Sequence, residues 1–445
     1  MISARDLTDR SHSQLDQWRT LPGGYFILLI SYSLVVFGSP MPPKITWLQI
    51  VMGCGLLTGG LMLSGRVFRE ALACKRKKAI LVLVSLLLLI PLSVALVRGN
   101  AITNVMRDVI PVMFLLVMPV FLTISIPVVD WEKASDLLVI VLLFVGIVTT
   151  LTYFSGLIQM VGSPAKLMEI IHGDLQTYET HATHATHATQ TKSLTIILGP
   201  ILLKTYDPAM LFAALFFGNW GISLIVRSWR WLLAGCMLLA IGTLIAYGFM
   251  VLGLRAYSIF YFMSLFAMAV LHFKERGVYM ILLPIMALVM VLIWPQIENV
   301  LNLLWLKEQA VGANGKLAEW HAVVVTILAS PQTTLFGTGW GGVLNDPIFF
   351  NQPTRFTHSM LSFFILKSGI TGLLTLLATL SILLFGGKKL GKPFSLPLPR
   401  QILLLSCMPP LLIGILFEPT YKMLSYGIVL SLFILQLPLA DQAEA

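Results

Sequence analysis

The chain reads as a succession of long apolar runs separated by short polar connections. Most of these runs are 17–25 residues long, and each is enough to cross the hydrocarbon core of a bilayer. The pattern places spans at about 22–38, 45–64, 79–97, 109–129, 137–161, 208–227, 231–252, 256–272, 277–294, 360–385, 399–416 and 421–437. The expected fold is all-α: a polytopic membrane protein with about 12 transmembrane helices and one large structured outer loop. A transmembrane β-barrel would instead alternate apolar and polar residues over ~10-residue segments.

Two intervals break the rhythm. The longer polar one, 295–357, follows a transmembrane frame of nine spans over 1–294 and precedes C-terminal transmembrane helices over 358–445. Within it, Lys316 opens a helical pattern of Leu317, Trp320, Val323, Val324 and Ile327, with apolar residues three and four apart. That pattern stops at Ser330-Pro331. The second outer loop, about 162–207, contains the apolar stretch 193–203, which is too short to span and is expected to be interfacial or re-entrant. The next span then starts at Pro208, a favourable first helical position. The same loop holds His181, His184 and His187 in three His-Ala-Thr triplets. They form either a metal-binding helix face or a slipped repeat in a tolerant loop. Thr disfavours helix and no carboxylate or Cys completes a site, which favours the repeat.

Composition agrees with the pattern. The chain is 57% hydrophobic and 11% charged, against about 25% charged in soluble domains. The net charge of +10 sits between the spans, so it reads as topology and not as nucleic-acid binding. Arg66, Arg69, Lys75, Arg76, Lys77 and Lys78 crowd the second connection. Positive-inside bias places that connection in the cytoplasm, and both termini follow it there. Cys54, Cys74, Cys236 and Cys407 lack CxxC spacing and read as small apolar fillers. The N-terminus has no cleavable signal pattern, so the first span is expected to be retained.

Candidate chemistry then gathers on the outer side. Arg255 lies between two spans at the depth of lipid headgroups. Its planar fork suits a phosphate, although arginines also snorkel there with no ligand. Lys316 opposes the macrodipole in the first turn of its helix, which suggests an anionic partner; Glu319 reads as a cap of that helix start. Phe336-Gly337-Thr338-Gly339-Trp340-Gly341-Gly342 lacks the GK[ST] ending and preceding strand of a nucleotide loop. Its glycines permit close approach of either a ligand or another backbone. His358 stands at the outer boundary of a span, where a neutral imidazole either accepts a hydroxyl proton or simply hydrogen-bonds. Arg355 is three residues earlier and can face a phosphate or act on His358. Lys367, nine residues deeper, should face protein or water. No DxD cluster, carboxylate pair, Ser-His-Asp order or HExxH appears on the outer side, against a metal-dependent transferase or a two-carboxylate hydrolase. No symmetric pair of interrupted helices marks an inverted-repeat transporter.

The series Gly253-Leu254-Arg255-Ala256, Gly315-Lys316-Leu317-Ala318-Glu319-Trp320, Ser330-Pro331, Phe336 to Gly342, and His358-Ser359 with Gly369 and Gly372 resembles the O-antigen ligase/polymerase superfamily. The motifs cover about residues 250–375, and the span layout is similar along the chain. The resemblance implies a GT-C-type membrane glycosyltransferase of the bacterial inner membrane, working at the periplasmic face without metal or cofactor. The implied donor is a glycan on undecaprenyl diphosphate. Arg255 and Lys316 would bind the diphosphate, with Arg355 beside them, and His358 would act on the acceptor hydroxyl. Trp320, Gly337 and Gly339 would support the loop. The family often has Arg where Lys316 stands and Asn where Ser359 stands. The acceptor would be a second repeat unit, for a polymerase, or lipid A–core or a protein, for a ligase. The Phe-Gly-x-Gly-x-Gly stretch leans to polymerase. Other polysaccharide-assembly proteins would be partners. A transporter or flippase of the same lipid is the reading from another class, and the scarcity of ionisable residues inside spans weighs against it.

Overall fold

Helices dominate because the chain's apolar runs have few other ways to satisfy their backbone groups away from water. The computed structural model describes residues 54–55, 58, 75–117, 131–161, 206–251, 254–271, 316–347, 352–385 and 397–436. The runs expected at 22–38 and 277–294, most of 45–64, the segment 193–203 and the His181, His184, His187 repeat lie outside these residues. The chain divides into two compact units, 1–78 and 79–445, and the description below is of the second.

Its helices are α1 (Lys75–Val97), α2 (Ile102–Val112), α3 (Trp131–Val161), α4 (Pro208–Arg227), α5 (Leu232–Val251) and α6 (Arg255–Leu271). They continue with α7 (Lys316–Leu328), α8 (Pro331–Phe336), α9 (Met360–Phe385), α10 (Leu398–Leu416) and α11 (Leu424–Gln436). A two-stranded antiparallel ribbon, β1 (Leu344–Asp346) and β2 (Gln352–Thr354), pairs Leu344 with Thr354 and Asp346 with Gln352. Among the described residues, six helices are long and apolar enough to cross a membrane: those within α1, α3, α4, α5, α9 and α10. Helices α6 and α11 are apolar but shorter.

The core forms around α4, against which α3, α5, α6, α10 and α11 pack. Asp207 caps α4 by accepting the Ala209 N–H at 2.9 Å, with Pro208 at the first helical position. Both features satisfy the helix start, which otherwise leaves its first N–H groups orphaned. Gly221 of α4 sits against the Gly235 carbonyl of α5, where an added Cβ would come within 2.7 Å of that oxygen. Small residues of this kind let apolar helices approach closely when lipid supplies no hydrophobic drive. Buried Asn219 of α4 donates to Ser264 of α6 at 3.0 Å and to Ser406 of α10 at 3.4 Å, a polar tie across three helices.

Two boundaries differ from the sequence expectation in a way that matters. The helix expected from 109 begins instead at Ile102 and continues as a π turn over Met113–Val117. It therefore takes in Asp108, buried on one face with Val105 and Val112. Helix α7 does begin at Lys316, but Leu317 and Val324 are exposed and its buried column is Glu319, Val323 and Ile327. Val323 and Ile327 pack with Leu344 and Leu366, so the helix is rotated to carry a carboxylate into the protein.

Candidate functional site

The glycine-rich segment after α8 is where the loop joins the frame. Gly337, Gly339 and Gly341 all have positive φ, a region in which only glycine is unstrained. The close neighbours are backbone. The Thr338 and Gly339 amides donate to the Leu366 and Lys367 carbonyls at 2.8 and 3.0 Å, and the Trp340 amide donates to Pro91 at 3.1 Å. The Trp340 indole N–H donates to Leu88 at 3.0 Å. Asn100 donates to the Trp340 and Thr338 carbonyls at 2.8 and 3.2 Å. The partner in α9 is prepared for this: Gly369 has φ 65° and breaks the helix into two. Thr338 and Gly339 thus satisfy carbonyls just before the break, which a continuous helix would use itself.

One carboxylate fixes the charges beneath this junction. Asp108 of α2, buried, meets the Lys367 ammonium at 2.7 Å and accepts the Gly341 N–H at 2.8 Å. Lys367, fully buried in α9, also donates to the Gly342 carbonyl at 2.5 Å. Arg355 lies 3.9 Å from the other Asp108 oxygen, with a quarter of its side chain exposed. Lys367 therefore faces protein, and its role here is to lock the glycine segment to α2.

Next to it lies a carboxylate–imidazole pair. Glu319, 1% exposed, accepts the His358 backbone N–H through Oε1 at 2.9 Å. Its Oε2 lies 2.5 Å from His358 Nδ1. A carboxylate there favours the tautomer with the proton on Nδ1, which leaves the acceptor lone pair on Nε2. Asp346 of β1, also buried, brings a carboxylate oxygen within 4.8 Å of these atoms. Glu319, Asp346 and His358 are the described residues that could share a metal ion. If Glu319 Oε2 and His358 Nδ1 both ligated one zinc-like cation at ~2.0–2.1 Å they would stand roughly 3 Å apart, wider than the 2.5 Å between them here. The Ser359 and Ser362 hydroxyls hydrogen-bond each other, Ser362 donates to the Thr357 hydroxyl, and Thr357 donates to the Ser359 carbonyl.

The turn between α10 and α11 closes the group. Lys316 pairs with Glu418 at 2.9 Å. The short 3-10 turn Pro419–Lys422 follows, and the Tyr421 hydroxyl donates to the Thr357 carbonyl at 2.9 Å. Lys422 stands over the Phe356 ring, 3.9 Å from its centroid.

Of the residues singled out from sequence, the structure brings Arg355 and His358 into one cluster, and Lys316 stands on α7 with Glu319. Trp320 is half-buried on α7. Gly337 and Gly339 serve backbone contact. Arg255 opens α6, and its side chain lies outside the described residues. Sequence reasoning missed Asp108, Asp346, Glu418 and Lys422, and it read Glu319 as a cap. The available signals were a carboxylate at i, i+3, i+7 spacing with Val105 and Val112, and another in register with Val323 and Ile327.

The fold defines a mostly helical protein with six helices long and apolar enough to cross a membrane among the described residues, consistent with a multi-pass membrane protein, and it carries a charged, partly buried cluster. Comparison with protein-family models, with curated proteins and with solved structures gave no match to this chain.

Proposed function

We propose that the protein is an inner-membrane glycosyltransferase of the O-antigen ligase/polymerase type, with about twelve spans, cytoplasmic termini and a periplasmic site. The donor is a glycan linked to undecaprenyl diphosphate, and the preferred acceptor is another lipid-linked repeat unit. The observation that carries this reading is the Glu319–His358 pair, a base held and oriented by a buried carboxylate beside Arg355 and Lys422. His358 Nε2 takes the proton of the acceptor hydroxyl as that oxygen attacks the anomeric carbon. The bond from that carbon to the diphosphate oxygen breaks, and the diphosphate leaves with the electron pair. One displacement inverts the configuration. Glu319 holds the imidazole in place and balances the imidazolium as it forms. Lys316 and Arg255 join the cations around the leaving group, with Lys316 exchanging Glu418 for phosphate. Diphosphate is a good leaving group, so positioning and charge stabilisation supply most of the catalysis.

The test is transfer by purified protein from a lipid-linked repeat unit in EDTA. Wild type should build a ladder of longer lipid-linked glycans. His358→Ala should lose roughly 10²–10⁴-fold in rate, the usual contribution of a general base. Glu319→Gln should lose less, because the imidazole keeps a hydrogen-bonding neighbour but no longer has a carboxylate to balance the proton it takes up in the reaction. Transfer only after lipid A–core is added would make the protein a ligase. No transfer to either acceptor would overturn the reading.

A further inference from the structure

We propose that Lys422 is a phosphate-contacting residue of this site, receiving with Arg355 the diphosphate of a prenyl-linked donor; the inference rests on the glycosyltransferase reading. Its ammonium is held on an aromatic floor, 3.9 Å from the Phe356 centroid, 5.3 Å from Phe363 and 5.9 Å from Tyr421. The charged groups that face it are Asp108 from α2, Glu319 from α7, Lys367 from α9, and Arg355 from the connection after β2. Both carboxylates are already committed. Asp108 serves Lys367 and the Gly341 amide, with Arg355 farther off. Glu319 gives both oxygens to His358. Among the described residues no carboxylate comes within ion-pair distance of Lys422, while two other cations stand near it.

Burial therefore pushes the Lys422 ammonium well below the usual lysine range; Lys367 and Arg355 push the same way, and Asp108 and Glu319 only partly oppose them. Among the described residues such a cation lacks a counter-charge of its own. Its neighbours say where one would come from. Phe356 lies two residues before His358, and Tyr421 is tied to Thr357. An anion between Arg355 and Lys422 would thus sit beside the imidazole that the reaction uses. An ammonium over aromatic faces is partly stripped of water and so gains more from a phosphate than an exposed one.

The experiment uses the full-length protein in detergent, with farnesyl diphosphate and inorganic diphosphate as probes in equilibrium binding. Wild type should bind farnesyl diphosphate, Lys422→Met should bind it at least tenfold more weakly, and Lys422→Arg should stay within about threefold of wild type. Equal loss with inorganic diphosphate would assign the contact to the phosphates alone; loss only with the prenyl compound would require the lipid to seat them. A second measurement needs no variant: bound farnesyl diphosphate should slow acylation of the Lys422 amine in wild type, read by mass spectrometry. Unchanged binding by Lys422→Met, or unprotected Lys422 in the bound wild type, overturns the inference and leaves the glycosyltransferase reading intact. Failure of wild type to bind either probe overturns both.

Discussion

Asp207 shows how one side chain carries both structure and a pH dependence. It accepts the Ala209 amide and the Ser425 hydroxyl, so it caps α4 and ties it to α11. Burial pushes its carboxyl up to about 6, and the two hydrogen bonds only partly offset that. The folded state then holds a proton that the unfolded chain gives up near pH 4. Stability from this group is present below that pH, falls between pH 4 and 6, and stays low above 6. Asparagine keeps the acceptor and removes the titration. Asp207→Asn should therefore be more stable than wild type at pH 7–8, by about 1–3 kcal/mol. The difference should vanish near pH 4, and thermal melts across that range measure it.

At the scale of elements, the broken helix α9 depends on glycine at one position. A Cβ on Gly369 would lie 2.5 Å from the Leu335 carbonyl, in a backbone conformation that side chains avoid. Gly369→Ala should cost about 2–4 kcal/mol and lower both the yield and the melting temperature of purified protein. Much of this level was legible in the chain. Apolar length alone located α4, α9 and α10 to within a residue or two, because a membrane helix must be long, apolar and continuous. Proline at 208 marked a helix start for a stated physical reason. The loop was legible only in outline. His358 and Arg355 stand out as polar residues beside a span, whereas Glu319 meets His358 across 39 residues. Asp108 meets Gly341 across 233. Local periodicity says nothing about which distant segment a face will meet. The glycines of 337–342 admitted either a ligand or a backbone, and only tertiary packing decided for the backbone. The β1–β2 ribbon is too short to leave a pattern.

For the molecule as a whole, the Asp108 junction joins α2, the glycine segment and α9. Removing the Asp108 charge leaves the buried Lys367 ammonium unpaired, which costs about 3–5 kcal/mol. In hydrogen exchange, the amides of Thr338, Gly339, Trp340 and Gly341 should be protected as strongly as those inside α4. Asp108→Asn should speed exchange at all four together and leave α4 unchanged. Exchange that sped up only at Gly341 would show that the carboxylate holds one amide and not the whole segment.

The same junction bears on how the protein is made. Its three parts leave the ribosome in order: α2 with its carboxylate, then the glycine segment, then the lysine of α9. Until Lys367 arrives, Asp108 has no ammonium to meet, and until the glycine segment docks, the carbonyls before Gly369 lack donors. A chain interrupted before α9 therefore leaves Asp108 with only the more distant Arg355 and the junction unclosed. The junction therefore closes only after the chain has been made as far as Lys367.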